Sequence, residues 1–498
     1  MWLDSVMTVA RLLRTDTIEV IEAVRGVLVA AEFSDRTVSD VFQGVAEDRT
    51  PSPWRLQVLL RRTAEPIARH TLMRLFTFGV EVTESEAAAA VEPMVLDDWV
   101  ELGLLRRAGS GVVANCHIRA FHEDYVCSDF SGATAGAEDF VMGVSPSGLT
   151  LAGATVRPQV GSSLDLGTGS GFLALLLARH SGRVVATDIN PRAVNFARFN
   201  AALNGFDIDV RVGSFFEPVA GDRFDLIVSN PPFVITPRAS HMYMHGGLEG
   251  DGVSRYLAQS APRLLNDGGY CQFLASWMVT GQADWEEQLA GWFVDSGCDV
   301  WVLHQPIASL ERHTLEWLPT EGSPATAASD VDEWLTYFAS HGVIGIGTGL
   351  VTMRLDPRGS NVIAIDEAPD EATLQGGAAT ESGFDLRVWL GTAGDAEVLA
   401  AVYRIADGVR VEQSWRAVRG EGWRSTAARI KRITGYRHEQ DLDPVASELM
   451  QRCEAGKPLG VVLGDMAAEL DSEATSFEAE VLPVVRDLLL SGFLERAP

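Results

Sequence analysis

Residues 164–172 read LDLGTGSGF, with three glycines at every second position between a predicted strand, SSLDLG, and the apolar stretch Phe172 to Ala178, which reads as a helix. Glycines at a strand-to-helix turn allow the chain to bend sharply and let a ligand approach the backbone and the helix N-terminus closely. Seventeen residues past Gly171 the next predicted strand ends in Asp188, whose carboxylate can accept both hydroxyls of a ribose. A glycine turn followed by such an acid marks a nucleoside cofactor site, and by itself it suits a dinucleotide and S-adenosylmethionine alike.

Outward from this turn, short β-branched runs alternate with helical stretches. SSLDLG, RVVATDI, IDVRVGS, FDLIVS, GGYCQFLAS and DVWVLHQ read as parallel strands, and LALLLARH, AVNFARFNAALNG, VSRYLAQSAPRLL and WEEQLAGWFVDSG as crossover helices. The expectation is an α/β protein whose central part, 121–355, is a doubly wound Rossmann-like sheet. The run GVIGIGTGLVTMRLD reads as its closing strand. No helix follows Gly345-x-Gly347-x-Gly349, so a phosphate loop there is the weaker reading. Residues 1–120 show helical apolar spacing at Val6, Val9, Leu12, Leu13 and at Leu56, Leu59, Leu60, and form a mainly helical front domain. Residues 356–498 form an α+β tail. VEPMVLDDWVELGLLRR (91–107) and VLPVVRDLLLSGFLERA (481–497) share one order of proline, apolar helix, glycine and short strand. Both resemble the last helix and wing of a winged-helix module, and a small packing module without a ligand is the alternative for each.

At 498 residues, with 46% hydrophobic and 22% charged residues, the chain is an ordinary globular one with room for several cores. Its longest apolar stretch is far short of the ~18 residues of a membrane span, and no export signal is visible, so no membrane partner is expected. Five scattered cysteines form no CxxC pair, which fits a reducing cytoplasm. A net charge of −28 excludes a surface built throughout for phosphate backbones. Between Arg404 and Arg437, however, nine basic residues stand against three acids. This segment reads either as a local nucleic-acid contact or as a solvated face pairing with acids elsewhere.

The loop also carries an acid two residues before its first glycine. A free carboxylate at Asp165 can pair with an ammonium and order the loop, whereas it would repel a pyrophosphate. The order Asp-x-Gly-x-Gly-x-Gly thus resembles motif I of class I S-adenosylmethionine-dependent methyltransferases. The fourth strand ends in SNPPF (229–233), at the carboxyl edge where open α/β sheets bind ligands. Asn230 can present its side-chain oxygen to an acceptor N–H, the carbonyl just before a proline is a second acceptor, and the prolines supply no competing donor. Phe233 can stack on a planar group.

Residues 140–275, with DLGTGSG, ATDINPRAVNFARFNAALNG, FDLIVSNPPF and GGLEGDGVSRYL, resemble the N-methyltransferases bearing an Asn-Pro-Pro-aromatic tetrapeptide. Release-factor glutamine methyltransferases carry Tyr where this chain has Phe233 and a glycine run like Gly246 to Gly252, while ribosomal RNA guanine methyltransferases more often carry Phe. What the resemblance implies is methylation of an amino or carboxamide nitrogen by S-adenosyl-L-methionine. The cofactor would be held by Asp165, Gly167, Thr168, Gly169, Gly171, Asp188, Ile189, Asn190, Ser214, Phe215 and Asn230, and the acceptor by Asn230, Pro231, Pro232 and Phe233. At VGSFFEP many relatives have an acid that meets the adenine amine, so here Ser214 would accept that bond more weakly, with Phe215 against the ring. The acceptor would be a macromolecule, RNA slightly before protein glutamine; a non-catalytic cofactor-binding sensor and an NAD oxidoreductase are the alternatives from other classes.

His241 and His245, four apart and followed by Glu249, raise a metal site, but Pro237 and Gly246-Gly247 favour a loop, and no metal is expected. His304 and His313 lie near a strand end, within reach of a substrate or merely exposed.

Overall fold

The computed structural model describes residues 12–45, 53–130, 138–237, 248–281, 284–318, 324–359, 361–368, 376–419, 422–434 and 438–497. The chain packs as two compact units, Met1–Leu149 with Gln159–Gly269 and Thr150–Pro158 with Tyr270–Pro498.

The first unit opens with helix Ile18–Ala30, which buries Ile21, Val24, Val27 and Leu28 at the three-and-four spacing of one helix face. After it come strand β1 (Val82–Thr83), helices Glu84–Ala90 and Leu96–Glu101, and the hairpin β2 (Leu105–Ala108) and β3 (Gly111–Ala114), in sheet order β1-β3-β2. Thr83 caps the first of these helices reciprocally with Glu86. Gly103 sits at φ 85°, and a Cβ there would lie 3.1 Å from the Leu12 carbonyl oxygen, so glycine is required where helix turns into hairpin. A helix, a glycine and a strand in this order are what VEPMVLDDWVELGLLRR leads one to expect.

A second hairpin follows, β4 (His117–Phe121) with β5 (Asp124–Ser128). Then come four parallel strands, β6 (Val160–Leu166), β7 (Ser181–Asp188), β8 (Ile208–Val212) and β9 (Phe224–Ser229), ordered β9-β6-β7-β8. The Val, Leu and Ile runs that end β6, β7 and β9 are buried, as parallel strands covered by helices must be, while the edge strand β8 leaves Val212 exposed. The strand order reverses at β6, with β7 on one side and β9 on the other, and that reversal leaves a crevice at the carboxyl ends.

Helix Pro191–Asn204 ties the unit together. Its Ala193, Phe196, Phe199 and Leu203 belong to the same core as Ile21, Leu72, Phe76 and Trp99 of the front part. Three of its asparagines each hold a backbone segment by both polar atoms. Asn195 does so at Leu13 (2.8 and 2.8 Å), Asn200 at Cys127 (2.8 and 2.9 Å) and Asn204 at Tyr125 (2.9 and 2.8 Å).

In the second unit, β10 (Leu265–Thr280), β11 (Cys298–His304), β12 (Val343–Leu355) and β13 (Ile363–Glu367) run in the order β13-β11-β12-β10. β12 is antiparallel to both its neighbours here, and β11 is parallel to β13. The glycine run 345–349 lies inside β12, and Cβ atoms at Gly345, Gly347 and Gly349 would meet Ile307, the Trp277 ring and the Leu303 carbonyl at 2.7, 2.2 and 2.5 Å. Those glycines are packing residues of a strand.

Farther along, β14 (Tyr403–Ile405) pairs with β18 (Leu494–Arg496), and β15 (Val409–Val418), β16 (Gly422–Arg432) and β17 (Glu439–Asp441) form a separate antiparallel sheet. Helices Pro444–Cys453, Leu459–Glu469 and Ala474–Leu490 close a core around Leu449, Leu463, Val485 and Phe493. Helix Ala474–Leu490, Gly492 at φ 72° and β18 repeat the helix, glycine, strand order of the front domain.

Candidate functional site

The registers of the parallel strands bring the sequence motifs to one edge. Leu166 pairs with Thr187 of β7 and with Ser229 of β9, so Gly167, Asp188 and Asn230 leave their strands side by side. β8 joins this edge through Asp188 paired with Val212, and the Gly213 N–H donates to the Asp188 carbonyl at 3.0 Å.

Gly167, Gly169 and Gly171 have φ of 73°, 55° and 84°, a region glycine enters without the Cβ penalty. They serve two purposes. A Cβ on Gly171 would come 3.1 Å from Ala197, so this glycine lets two helices approach. A Cβ on Gly167 or Gly169 would meet nothing within 4 Å, so both border open space. The Gly167 and Thr168 N–H groups donate to the Thr187 carbonyl, each at 2.9 Å, which pins the turn to β7. Below, Asn200 donates to the Ser170 carbonyl at 2.7 Å while holding Cys127, and so ties the loop to β5.

Asp165 is fully buried. Its Oδ2 accepts the Thr168 hydroxyl at 2.5 Å and the Ala174 N–H at 3.0 Å, and its Oδ1 has no hydrogen-bond partner among the described residues. Burial pushes its pKa up to about 7, against the pull of those two hydrogen bonds. No counter-charge pairs with this carboxylate among the described residues, and its free oxygen could accept a donor such as an ammonium. Asp188 accepts the Gly169 N–H with Oδ2 and the Asn190 N–H with Oδ1, both at 2.8 Å, and burial raises its pKa as well. Asn190 caps helix Pro191–Asn204 and donates to the Asp139 carbonyl, while Ile189 beside it is exposed. Phe215 takes φ 45° and packs its ring 4.7 Å from Tyr256, next to the half-buried Ser214.

At the end of β9, Asn230 donates through Nδ2 to the Ser147 hydroxyl at 3.2 Å, and Ser147 contacts the Ser145 hydroxyl at 3.0 Å. The amide is thereby oriented, and its Oδ1 is buried with no partner among the described residues. Pro231 is buried, Pro232 and Phe233 half-buried. Two side-chain oxygens without donors, on Asp165 and Asn230, therefore belong to adjacent strands of one edge.

Other sequence candidates are placed differently. His241 and His245 lie outside the described residues. His304 and His313 are buried, not exposed: His304 hydrogen-bonds the Gln305 carbonyl at 2.9 Å, and His313 packs against Trp334 and Phe338. In the basic segment, Arg429 pairs with Glu439 and Asp441, Lys431 with Glu412 and Glu439, and Arg404 with Glu495. Ser147 and Asn200 were not legible as site residues. The one available signal was Asn200 with Asn204, four apart in a helix where asparagine is a poor helix former.

Comparison with known proteins agrees with the motifs. The profile of the methyltransferase small domain matches residues 149–283, and two domains of unknown function match 55–115 and 381–496. A release factor glutamine methyltransferase of Geobacter sulfurreducens is 35% identical over 30% of this chain and 55% of its own length. One from Deinococcus radiodurans is 41% identical over 23% of this chain and 44% of its length. A ribosomal RNA small subunit methyltransferase C of Salmonella arizonae is 39% identical over 24% of this chain and 33% of its length. The chain thus spans about half or less of the length of these curated relatives. Among solved structures, a T. thermophilus 16S rRNA N2 G1207 methyltransferase with AdoMet and guanosine aligns with 39% of this chain and 54% of its own, at 20% identity and a TM-score of 0.24. The resemblance to S-adenosylmethionine-dependent methyltransferases, with relatives of both the protein glutamine and the RNA kind, holds for the α/β segment around the glycine loop. Among the described residues no helix is long and apolar enough to cross a membrane.

Proposed function

We propose that this protein is an S-adenosylmethionine-dependent N-methyltransferase acting on an exocyclic amine or carboxamide nitrogen of a macromolecule, RNA before protein glutamine. The observation that carries the reading is the pair of unpartnered buried oxygens, Asp165 Oδ1 and Asn230 Oδ1, at the ends of neighbouring strands. One suits the ammonium of the cofactor; the other suits an N–H of the acceptor.

The cofactor, when bound, supplies an electrophilic methyl on a sulfonium. Asp165 would pair with its ammonium, the Gly167 to Gly171 loop with Thr168 would give the backbone room, Asp188 would accept the ribose hydroxyls, and Ile189, Asn190, Ser214 and Phe215 would border the adenine. Asn230 holds the acceptor nitrogen by one hydrogen, and the carbonyl before a proline holds the other. The amine lone pair is delocalised, and accepting both hydrogen bonds raises electron density on nitrogen while aiming the lone pair at the carbon. Orientation and preorganised dipoles thus do the work without a dedicated base. A nitrogen held in this way would be positioned to take the methyl from the sulfonium, and the proton it sheds would leave to water. Phe233 stacks on the plane of the acceptor, which is the feature that favours a nucleobase.

A second reading, a protein glutamine acceptor, draws on the Gly246 to Gly252 run and the −28 charge. The three-part organisation, 1–120, 121–355 and 356–498, belongs to the same proposal, since each of the three profile matches falls within one part. Cytoplasmic location is part of it too, in keeping with five buried cysteines that form no disulfide.

Labelled-methyl transfer from S-adenosylmethionine onto fractionated cell RNA and protein tests the reading, with the marked fraction naming the acceptor. Asn230→Ala should lose at least about a hundredfold in transfer rate, with cofactor affinity by calorimetry within about twofold. Cofactor binding with no transfer to either fraction would leave the sensor alternative, and binding of NAD instead would refute the proposal.

A further inference from the structure

The β15–β16 hairpin stands apart from the rest of its unit in how little of it is covered. Every residue from Arg410 to Ala417 is exposed, on both faces of the strand. Ordinary two-stranded ribbons bury one face or are marginal in water, and the base of this one is anchored where Ile430 is fully buried and β17 pairs with Arg429 to Lys431. Its outer half carries two tryptophans, Trp415 and Trp423, 53% and 73% exposed. Trp415 opposes Ser425 and Ala417 opposes Trp423, so the two indoles occupy diagonal positions on one face.

Some of the ribbon's cations are neutralised and others are not. At the base, Lys431 and Arg429 are neutralised by Glu412, Glu439 and Asp441. Arg416 and Arg419 in the outer half, and Arg410 at the base opposite Lys431, are exposed, and no acid pairs with them among the described residues. In a chain with a net charge of −28, arginines left without acids on a projecting element are a local exception to the repulsion that the rest of the surface offers a polyanion.

We propose that this hairpin is an arm that binds single-stranded RNA, the indoles of Trp415 and Trp423 each stacking an unpaired base while Arg410, Arg416 and Arg419 contact phosphates. Stacking on aromatic faces combined with a cationic track is how proteins hold single strands without reading a sequence. A duplex keeps its bases stacked on one another and would leave the indoles unused. An acidic peptide would engage the arginines and leave the tryptophans without a role. The inference deepens the proposed function by naming the acceptor class, yet its binding readout does not depend on methyl transfer.

The test uses the full chain and a 5′-labelled single-stranded oligouridine, followed by fluorescence anisotropy over a salt series and by quenching of tryptophan emission. Trp415→Ala with Trp423→Ala should weaken binding at least about tenfold, and the corresponding Phe pair should recover most of it, which separates stacking from loss of fold. Arg410→Gln with Arg416→Gln and Arg419→Gln should reduce the slope of log affinity against log salt by about two, at roughly 0.7 per phosphate contact on a single strand. Equal binding by the unaltered chain and the Trp-to-Ala pair overturns the proposal. So does competition by polyglutamate as strong as that by unlabelled RNA, which would indicate an acidic protein partner. Calorimetric titration of the unaltered chain with S-adenosylmethionine is read separately, so that a chain binding RNA but not the cofactor sinks the enzyme reading and leaves the arm standing.

Discussion

Two glycine runs of nearly the same spelling do opposite jobs in this molecule. Gly167, Gly169 and Gly171 occur at alternate positions with positive φ, and two of them border open space. Gly345, Gly347 and Gly349 also alternate, but they sit inside β12, where each missing Cβ makes room for a neighbour. The first run leaves open space beside two of its glycines, room that the proposed cofactor would use. The second lacks side chains so that the chain can come close to itself. What separates the two is the following element: a helix begins at Phe172, whereas β12 continues to Leu355.

The comparison can be broken at several points. The largest effect is expected at the acid that accompanies only the first run. Asp165→Asn should cost roughly 2–5 kcal/mol of cofactor affinity, as loss of one partner of a buried charge pair does, read by calorimetry. The same change should raise the melting temperature at pH 8. The sign follows from the raised pKa: burial holds the folded-state carboxyl at about 7, so above that pH the folded protein carries a buried charge that the variant lacks. Near pH 5 the folded carboxyl is already protonated, and the stability advantage should shrink. In the unaltered chain, cofactor affinity should fall as pH drops below about 7, because a protonated Asp165 no longer attracts an ammonium.

Next comes the support beneath the loop. Asn200→Ala strands the Cys127 N–H and carbonyl and the Ser170 carbonyl. It should cost on the order of 3 kcal/mol in urea unfolding, from buried groups left unsatisfied. A smaller loss, roughly 1–3 kcal/mol from overpacking, is expected for Gly347→Ala, whose Cβ would meet the Trp277 ring. Cofactor affinity of the folded fraction should be unaltered, as suits a glycine that only packs. Gly169→Ala should show the reverse. Its stability cost is about 1–2 kcal/mol for a left-handed residue with a side chain, while cofactor affinity drops by more than that strain explains.

Much of this was legible because the signals were local. Buried parallel strands announce themselves as short β-branched runs, and the glycine loop, Asp188 and Asn-Pro-Pro-Phe are short local signals whose order along the chain already places them at the ends of the first, second and fourth of these strands. The β4–β5 hairpin was not foreseen, and β4 runs across residue 120, where the change in sequence pattern was placed. HIRAF and DYVCS mix polar and apolar types, and the outer backbone of DYVCS is satisfied by Asn200 and Asn204 rather than by another strand. Those contacts span 73 and 79 residues, beyond the reach of periodicity. Ser147, which orients Asn230 from 83 residues away, was hidden for the same reason. The basic segment was legible as a charge imbalance only. That Arg429 is neutralised depends on β17, whose acids Glu439 and Asp441 fold back beside β16.

The asparagines that hold β5 also do something for solubility. A two-stranded hairpin leaves an outer row of amide donors and acceptors that could recruit a strand from another molecule, the first step towards aggregation. In β5 that row is occupied at Tyr125 and Cys127 by carboxamides from a helix, which mimic a neighbouring strand without being one. The edge is thus sealed by side chains alone, and a newly made chain becomes safe from that mispairing only once helix Pro191–Asn204 has docked.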